Sequence, residues 1–141
     1  RLAPRWRSAI DSAVEDRDRA IFVAASGGQV AGFLSMGANR GPGADWEAEF
    51  EMLYVSREAC RRGLGRALMK AGADHAIRRG MFTGGLWVLR DNRLARAFYE
   101  ALGGEAAGRR VDVVGGRAAP LRGYRWGEMA VLAQRVTPQI R

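Results

Sequence analysis

The stretch CRRGLGRALMKAGADHAIRRG, residues 60–80, opens with paired arginines and two glycines, then settles into small apolar residues. Leu64, Ala67, Leu68, Ala71 and His75 share one stripe at a 3.6-residue period, while Arg78, Arg79 and Gly80 supply a cationic last turn and a glycine stop. The spacing predicts a helix. Glycine inside a helix costs about 1 kcal/mol relative to alanine. Its placement at Gly63 and Gly65, where this helix starts, implies a backbone that something approaches closely. The first amides of a helix have no internal partner and lie at the positive end of its dipole. With Arg61, Arg62 and Arg66 at the rim, the turn has the composition of an anion site. The P-loop pattern G-x-x-x-x-G-K-[ST] is absent, as is the third glycine of a dinucleotide fingerprint.

Upstream, RWRSAIDSAVE (5–15) carries Trp6, Ile10 and Val14 at four-residue spacing and reads as a short amphipathic helix. AIFVAA (20–25) and VAGFLSMG (30–37) read as strands joined through Gly27-Gly28 into a hairpin. NRGPGAD (39–45) is a loop by composition. WEAEFEMLYV (46–55) alternates as a strand, with Glu47, Glu49, Glu51, Leu53 and Val55 on one face and Trp46, Phe50, Met52 and Tyr54 on the other. Downstream, FTGGLWVL (82–89) is a strand weakened early by glycines. Asp91 or Asn92 caps a helix whose buried stripe is Leu94, Ala95, Phe98, Ala101 and Leu102, ended by Gly103-Gly104. RRVDVV (109–114) and RAAPLRGYRW (117–126) make a closing hairpin, and MAVLAQ a brief last helix. This order gives one α/β domain around a mixed, mostly antiparallel sheet flanked by helices.

At 141 residues the chain is long enough to bury one real core. Its longest apolar run, AIFVAA, is far too short to cross a bilayer as a helix. Cys60 is the only cysteine, which excludes an internal disulfide and fits a cytoplasmic location. Residues 1–60 carry 7 basic and 9 acidic side chains, net −2; residues 61–141 carry 16 and 6, net +10, for the total of +8. A basic half points to an anionic partner without naming it.

Two segments in order, RRGLGRALM after a strand ending at Val55 and LWVLRDNRLARAFYEALGG (86–104), resemble the coenzyme-A loop and the L-x-V-x-x-x-N-x-x-A-x-x-F-Y-x-x-x-G segment of the GNAT superfamily of N-acetyltransferases. The resemblance covers residues 20–126. It implies a GNAT-like acyl-CoA N-acyltransferase fold with splayed central strands, in which residues 1–141 form one N-acetyltransferase domain lacking the family's first strand and helix. It further implies acetyl transfer from acetyl-CoA, as co-substrate and without a metal, to a primary amine on a small molecule or peptide, by direct attack in a ternary complex. Arg61, Arg62, Gly63, Leu64, Gly65 and Arg66 would then bind the pyrophosphate. Leu53, Tyr54 and Val55 would line the pantetheine arm and offer an amide to the thioester oxygen. Asn92 and Ala95 would also meet the cofactor, with Asn92 capping its helix as well. Tyr99 aligns with the thiolate-protonating tyrosine; its ordinary pKa near 10 lies close enough to a thiol's, near 8.5, for transfer. Phe98 reads as core packing. Glu49 stands where some relatives place the base, with Glu51 as substitute, and the run Asp45, Glu47, Glu49, Glu51 is equally a solvated face or an attractor of cationic acceptors. Cys60 departs from the family's usual Gln or Arg.

His75 reads as a core or boundary histidine; no second histidine exists to build a metal site. Trp6 and Trp46 read as packing residues, with Trp46 also placed to line an acceptor pocket. Two other readings stand beside the enzyme: an acyl-CoA-binding interaction module without catalysis, and a basic nucleic-acid binder. The second is disfavoured because no aromatic RNA-binding motif interleaves the arginines. No membrane partner is implied, and whether the chain forms a homodimer is left open.

Overall fold

Two-residue alternation puts Phe22 and Ala24 on the buried side of β2 (Arg19–Ser26) and Leu34 and Met36 on that of β3 (Gln29–Ala38). The two pair antiparallel through a turn in which Gly28 takes φ 82°. The computed structural model describes residues 10–15, 19–26, 28–41, 44–59 and 63–135. In it, β1 (Ile10–Glu15) flanks β2, and β4 (Ala48–Val55), β5 (Gly84–Leu89), β6 (Glu105–Val114) and β7 (Arg117–Trp126) complete a seven-stranded sheet in the order β1-β2-β3-β4-β5-β7-β6. Every neighbouring pair is antiparallel except β4 and β5, which are parallel.

The helices α1 (Leu64–Arg78), α2 (Arg93–Ala101) and α3 (Met129–Arg135) meet at one apolar core. Its centre is Phe50 of β4, edge-on to Trp126 of β7 at 5.8 Å. Tyr99 of α2 stands edge-on to the same indole at 6.2 Å. Bare backbone lets the layers close: a Cβ on Gly72 of α1 would lie 2.6 Å from Leu34, and one on Gly84 would lie 2.5 Å from the Met129 sulfur of α3. The early glycines of β5 therefore strengthen the packing rather than weaken the strand.

Three expectations fail on physical grounds. Residues 10–15 form an edge strand on β2, not a helix, and residues 5–9 lie outside the described residues. In β4, Ser35 pairs with Met52 while Met36 pairs with Phe50, so Glu51 is the extra residue of a β-bulge. The bulge reverses the alternation: Ala48 and Phe50 face the core before it, Leu53 and Val55 after it, and Met52 and Tyr54 are exposed. In α2, Leu94 is 87% exposed, and Ala95, Phe98, Tyr99 and Leu102 carry the packing instead. Trp126 fixes that rotation, since its indole N–H donates to the Leu102 carbonyl at 3.1 Å.

Candidate active site

β4 and β5 pair only at Ala48↔Gly84 and Glu49↔Gly85. Beyond that point β4 keeps its bonds to β3 and β5 its bonds to β7, so the two strands part. The gap opens toward their C-terminal ends, which the chain follows with the starts of α1 and α2.

At the first start, Gly63 is the N-cap of α1 with φ 81° and ψ 8°, a left-handed conformation that glycine adopts without strain. A Cβ there would meet nothing within 4 Å, so open space lies before the turn. Gly63 has no side chain to cap the helix, and the first turn holds no acidic residue. Gly65 differs. A Cβ on it would lie 3.1 Å from the Phe98 ring, so this glycine lets α1 pack on α2. Leu64 is buried beside it and Arg66 is exposed. Arg61, Arg62 and Cys60 lie outside the described residues.

At the second start, the Asn92 side-chain oxygen accepts the Ala95 N–H at 3.1 Å, the capping bond expected of it. Ala95 and Phe98 are half-buried against the core, and Leu53 and Val55 of β4 join the same cluster. Tyr99 is 8% exposed, its ring held by Phe98, Tyr124 and Trp126. Its hydroxyl makes no hydrogen bond to the described residues. Burial pushes its pKa up from 10.0 to about 12, farther from a thiol's than its ordinary value.

The four acidic residues 45–51 separate into distinct jobs. Asp45 pairs with Arg125 at 3.0 Å. Glu47 accepts the N–H groups of Phe82 and Thr83 and clamps the start of β5. Glu51, at the bulge, binds Arg19 and accepts the Ser35 hydroxyl at 3.3 Å. Glu49 remains, its carboxylate accepting among the described residues only the Trp46 indole N–H at 3.1 Å, and it occupies the last paired position before β4 and β5 part. Glu51 is thus tied to the first hairpin, while Glu49 is not.

Trp87 and Arg110, which the sequence did not mark, join Trp46 on this face. Trp46 is 4% exposed and lies over Gly85, with Trp87 at 5.5 Å and 55°. Arg110 of β6 stands 4.8 Å above the Trp87 ring. The bond from Arg110 to Asp112, with a weaker contribution from Glu49, raises its pKa and keeps it charged. The available signal was the second glycine of TGGLW: an added Cβ on Gly85 would lie 2.0 Å from the Trp46 ring. Gly85→Ala is therefore expected to expel Trp46, cost about 2 kcal/mol or more, and red-shift tryptophan emission. Thermal melts and fluorescence of the variant check this.

His75 is buried against Phe22 at 5.6 Å, as a core histidine. Among the described residues, no group of three or more His, Cys, Asp or Glu side chains could hold a metal ion.

A model of the acetyltransferase (GNAT) family matches residues 2–104. An uncharacterized N-acetyltransferase of Bacillus subtilis (strain 168), YuaI, is 30% identical over 116 residues, 81% of this chain and 66% of that protein. The chain thus spans just under two thirds of that relative's length. Nourseothricin acetyltransferase superposes with a TM-score of 0.69 at 27% identity, over 79% of this chain and 66% of that one. A streptothricin acetyltransferase of Bacillus anthracis str. Ames, solved with acetyl coenzyme A, shares the fold with a TM-score of 0.67 at 19% identity, over 80% and 64% of the two chains.

Proposed function

Since the chain belongs to the GNAT family of acetyltransferases, we propose that it moves the acetyl group of acetyl-CoA to a primary amine by direct attack within a ternary complex. The observation that carries the reading is the parting of β4 from β5 after Glu49 and Gly85, followed in the chain by the glycine-capped start of α1.

The chain's own groups fit that ligand. The first-turn amides of α1, led by Gly63 with open space before it, suit a diphosphate, and Arg61, Arg62 and Arg66 add charge to the same turn. The freed edges of Leu53–Val55 and Leu86–Leu89 suit an amide-bearing pantetheine arm, with Asn92 and Ala95 at its side. Acetyl-CoA supplies an acyl group already activated as a thioester. A β4 amide near Leu53–Tyr54 polarises the carbonyl as negative charge builds on its oxygen. Glu49 takes the proton of the acceptor's ammonium form, directly or through one water, so that the free nitrogen can bond to the acyl carbon; the second proton, shed on bonding, passes to solvent.

Tyr99 faces the departing sulfur. Burial raises its pKa to about 12, above a thiol's ordinary value, so the hydroxyl stays protonated while the sulfur leaves. Its part is therefore a hydrogen bond that lowers the charge on sulfur as the bond to carbon breaks, and the thiolate draws its proton afterwards from solvent or from the acid formed at Glu49. A bell-shaped profile with an alkaline limb below about pH 10 is not expected from Tyr99.

The test is release of free thiol from acetyl-CoA on adding a panel of primary amines and amine-terminated peptides. Amine-dependent release with one acetylated product per thiol supports the reading. Acetyl-CoA binding without turnover of any amine, in wild type and Tyr99→Phe alike, would reduce the protein to an acyl-CoA-binding module.

A further inference from the structure

The last hairpin, β6 and β7, carries an arrangement that acetyl transfer does not use. Arg109 of β6 and Arg122 of β7 are directly opposed in the antiparallel ladder. Opposed residues point to the same face, and like charges so placed repel. Neither guanidinium has an ion-pair partner among the described residues. The Nε of Arg122 is also shielded from solvent and makes no hydrogen bond among the described residues, an expensive state for a charged donor.

These two side chains and Arg90 line a cavity of about 500 Å³, walled by Val111 and Pro120. Arg90 and Arg110, which also line the cavity, already have their carboxylates. Asp91 pairs with Arg90 at 3.0 Å, and Asp112 with Arg110 at 2.9 Å. Arg96 adds to the positive potential and is itself bound to the Tyr124 hydroxyl and the Arg90 carbonyl. The cavity thus holds two uncompensated positive charges beside an apolar wall.

From this arrangement we infer that the Arg90–Arg109–Arg122 cavity is a second anion site, separate from the α1 turn, which takes the phosphoryl group of a phosphate monoester. Guanidinium forks match phosphate oxygens. A dianion balances both free arginines, whereas a monoanionic carboxylate would leave one unpaired. Seated between them, the phosphoryl group replaces a repulsion with two attractions. The apolar wall accommodates the carbon body that such a group is carried on.

The experiment is thermal unfolding at pH 7 in sodium phosphate and in sodium chloride of matched ionic strength, for wild type, Arg109→Gln and Arg122→Gln. Arg109 lies on the exposed edge strand, so its variant folds even if the Arg122 variant does not. Phosphate is expected to raise the wild-type Tm by about 3 °C over chloride, with at most a third of that gain in Arg109→Gln. In chloride, Arg109→Gln is expected to be no less stable than wild type, since it relieves the opposed charges. A phosphate gain equal to chloride's, or equal in wild type and variant, overturns the inference. The cofactor's own ribose phosphate is the competing source. Calorimetric titration with acetyl-CoA should therefore give Kd values within twofold for wild type and Arg109→Gln, and a weakening of tenfold or more in the variant overturns the claim of a separate site.

Discussion

Tyr99→Phe is expected to lower kcat for amine acetylation by about 10²- to 10³-fold while leaving the Kd for acetyl-CoA within about twofold. The substitution removes one atom. The ring that packs on Phe98, Tyr124 and Trp126 stays, and the lost hydroxyl bonds to nothing among the described residues. Stability near neutral pH should therefore change little, and the loss should fall on the step in which sulfur leaves. Alkaline stability separates the same two proteins. A tyrosine whose folded pKa is raised from 10.0 to about 12 contributes stability that is fully present below pH 10 and is lost as the pH climbs toward 12. The wild type should lose more stability than Tyr99→Phe across that window in parallel denaturation series. A phenylalanine variant with unchanged kcat would leave Tyr99 as a packing residue only.

Glu49→Gln is expected to lower kcat/KM at pH 7 by about 10²-fold, with recovery as the pH passes the acceptor's own pKa. The reason is the proton inventory. At neutral pH a primary amine arrives as ammonium and must lose a proton before its nitrogen can attack; above its pKa it arrives free. Glutamine keeps the size of the side chain and an oxygen to accept the Trp46 indole N–H, so the variant isolates basicity. Glu51→Gln is the companion. Because Glu51 is tied to Arg19 and Ser35 at the edge of the first hairpin, its loss should change kcat/KM less than threefold. If the two variants behave alike, or if Glu49→Gln shows no recovery at high pH, Glu49 is not the base.

Much of this arrangement was legible in the chain because it rests on local chemistry. Gly63 before an apolar stripe, Asn92 before another, and glycines at 80 and 103 mark helix ends that need positive φ or a capping oxygen, and the structure places both helices between those marks. Both hairpins were legible from alternation and glycine turns. What escaped depends on contacts between distant segments. A four-residue spacing such as Ile10 to Val14 satisfies a helix and a strand alike, being close to one helical turn and also a multiple of two. The free edge of β2 decided for the strand.

The bulge at Glu51 left no mark, since an extra residue in one strand is defined only by its partner strand. It nevertheless decides which later residues of β4 face the core, turning Leu53 and Val55 inward and Met52 and Tyr54 outward. Trp46 was marked as a pocket-lining candidate, but its partners Trp87 and Arg110 escaped for a similar reason: the contacts join Trp46 to β5 and β6 across the sheet. The opposed pair Arg109 and Arg122 became visible only with the register of the last hairpin.

The central claim is that acetyl-CoA lies in the gap between β4 and β5 with its diphosphate on the start of α1. Hydrogen–deuterium exchange of the full chain with and without saturating acetyl-CoA tests it most directly. The account predicts slowed exchange at Leu53–Val55, at Leu64–Arg66 and at Leu86–Leu89, with little change in β6. Protection absent from both parted strands, or confined to the last hairpin, would contradict it.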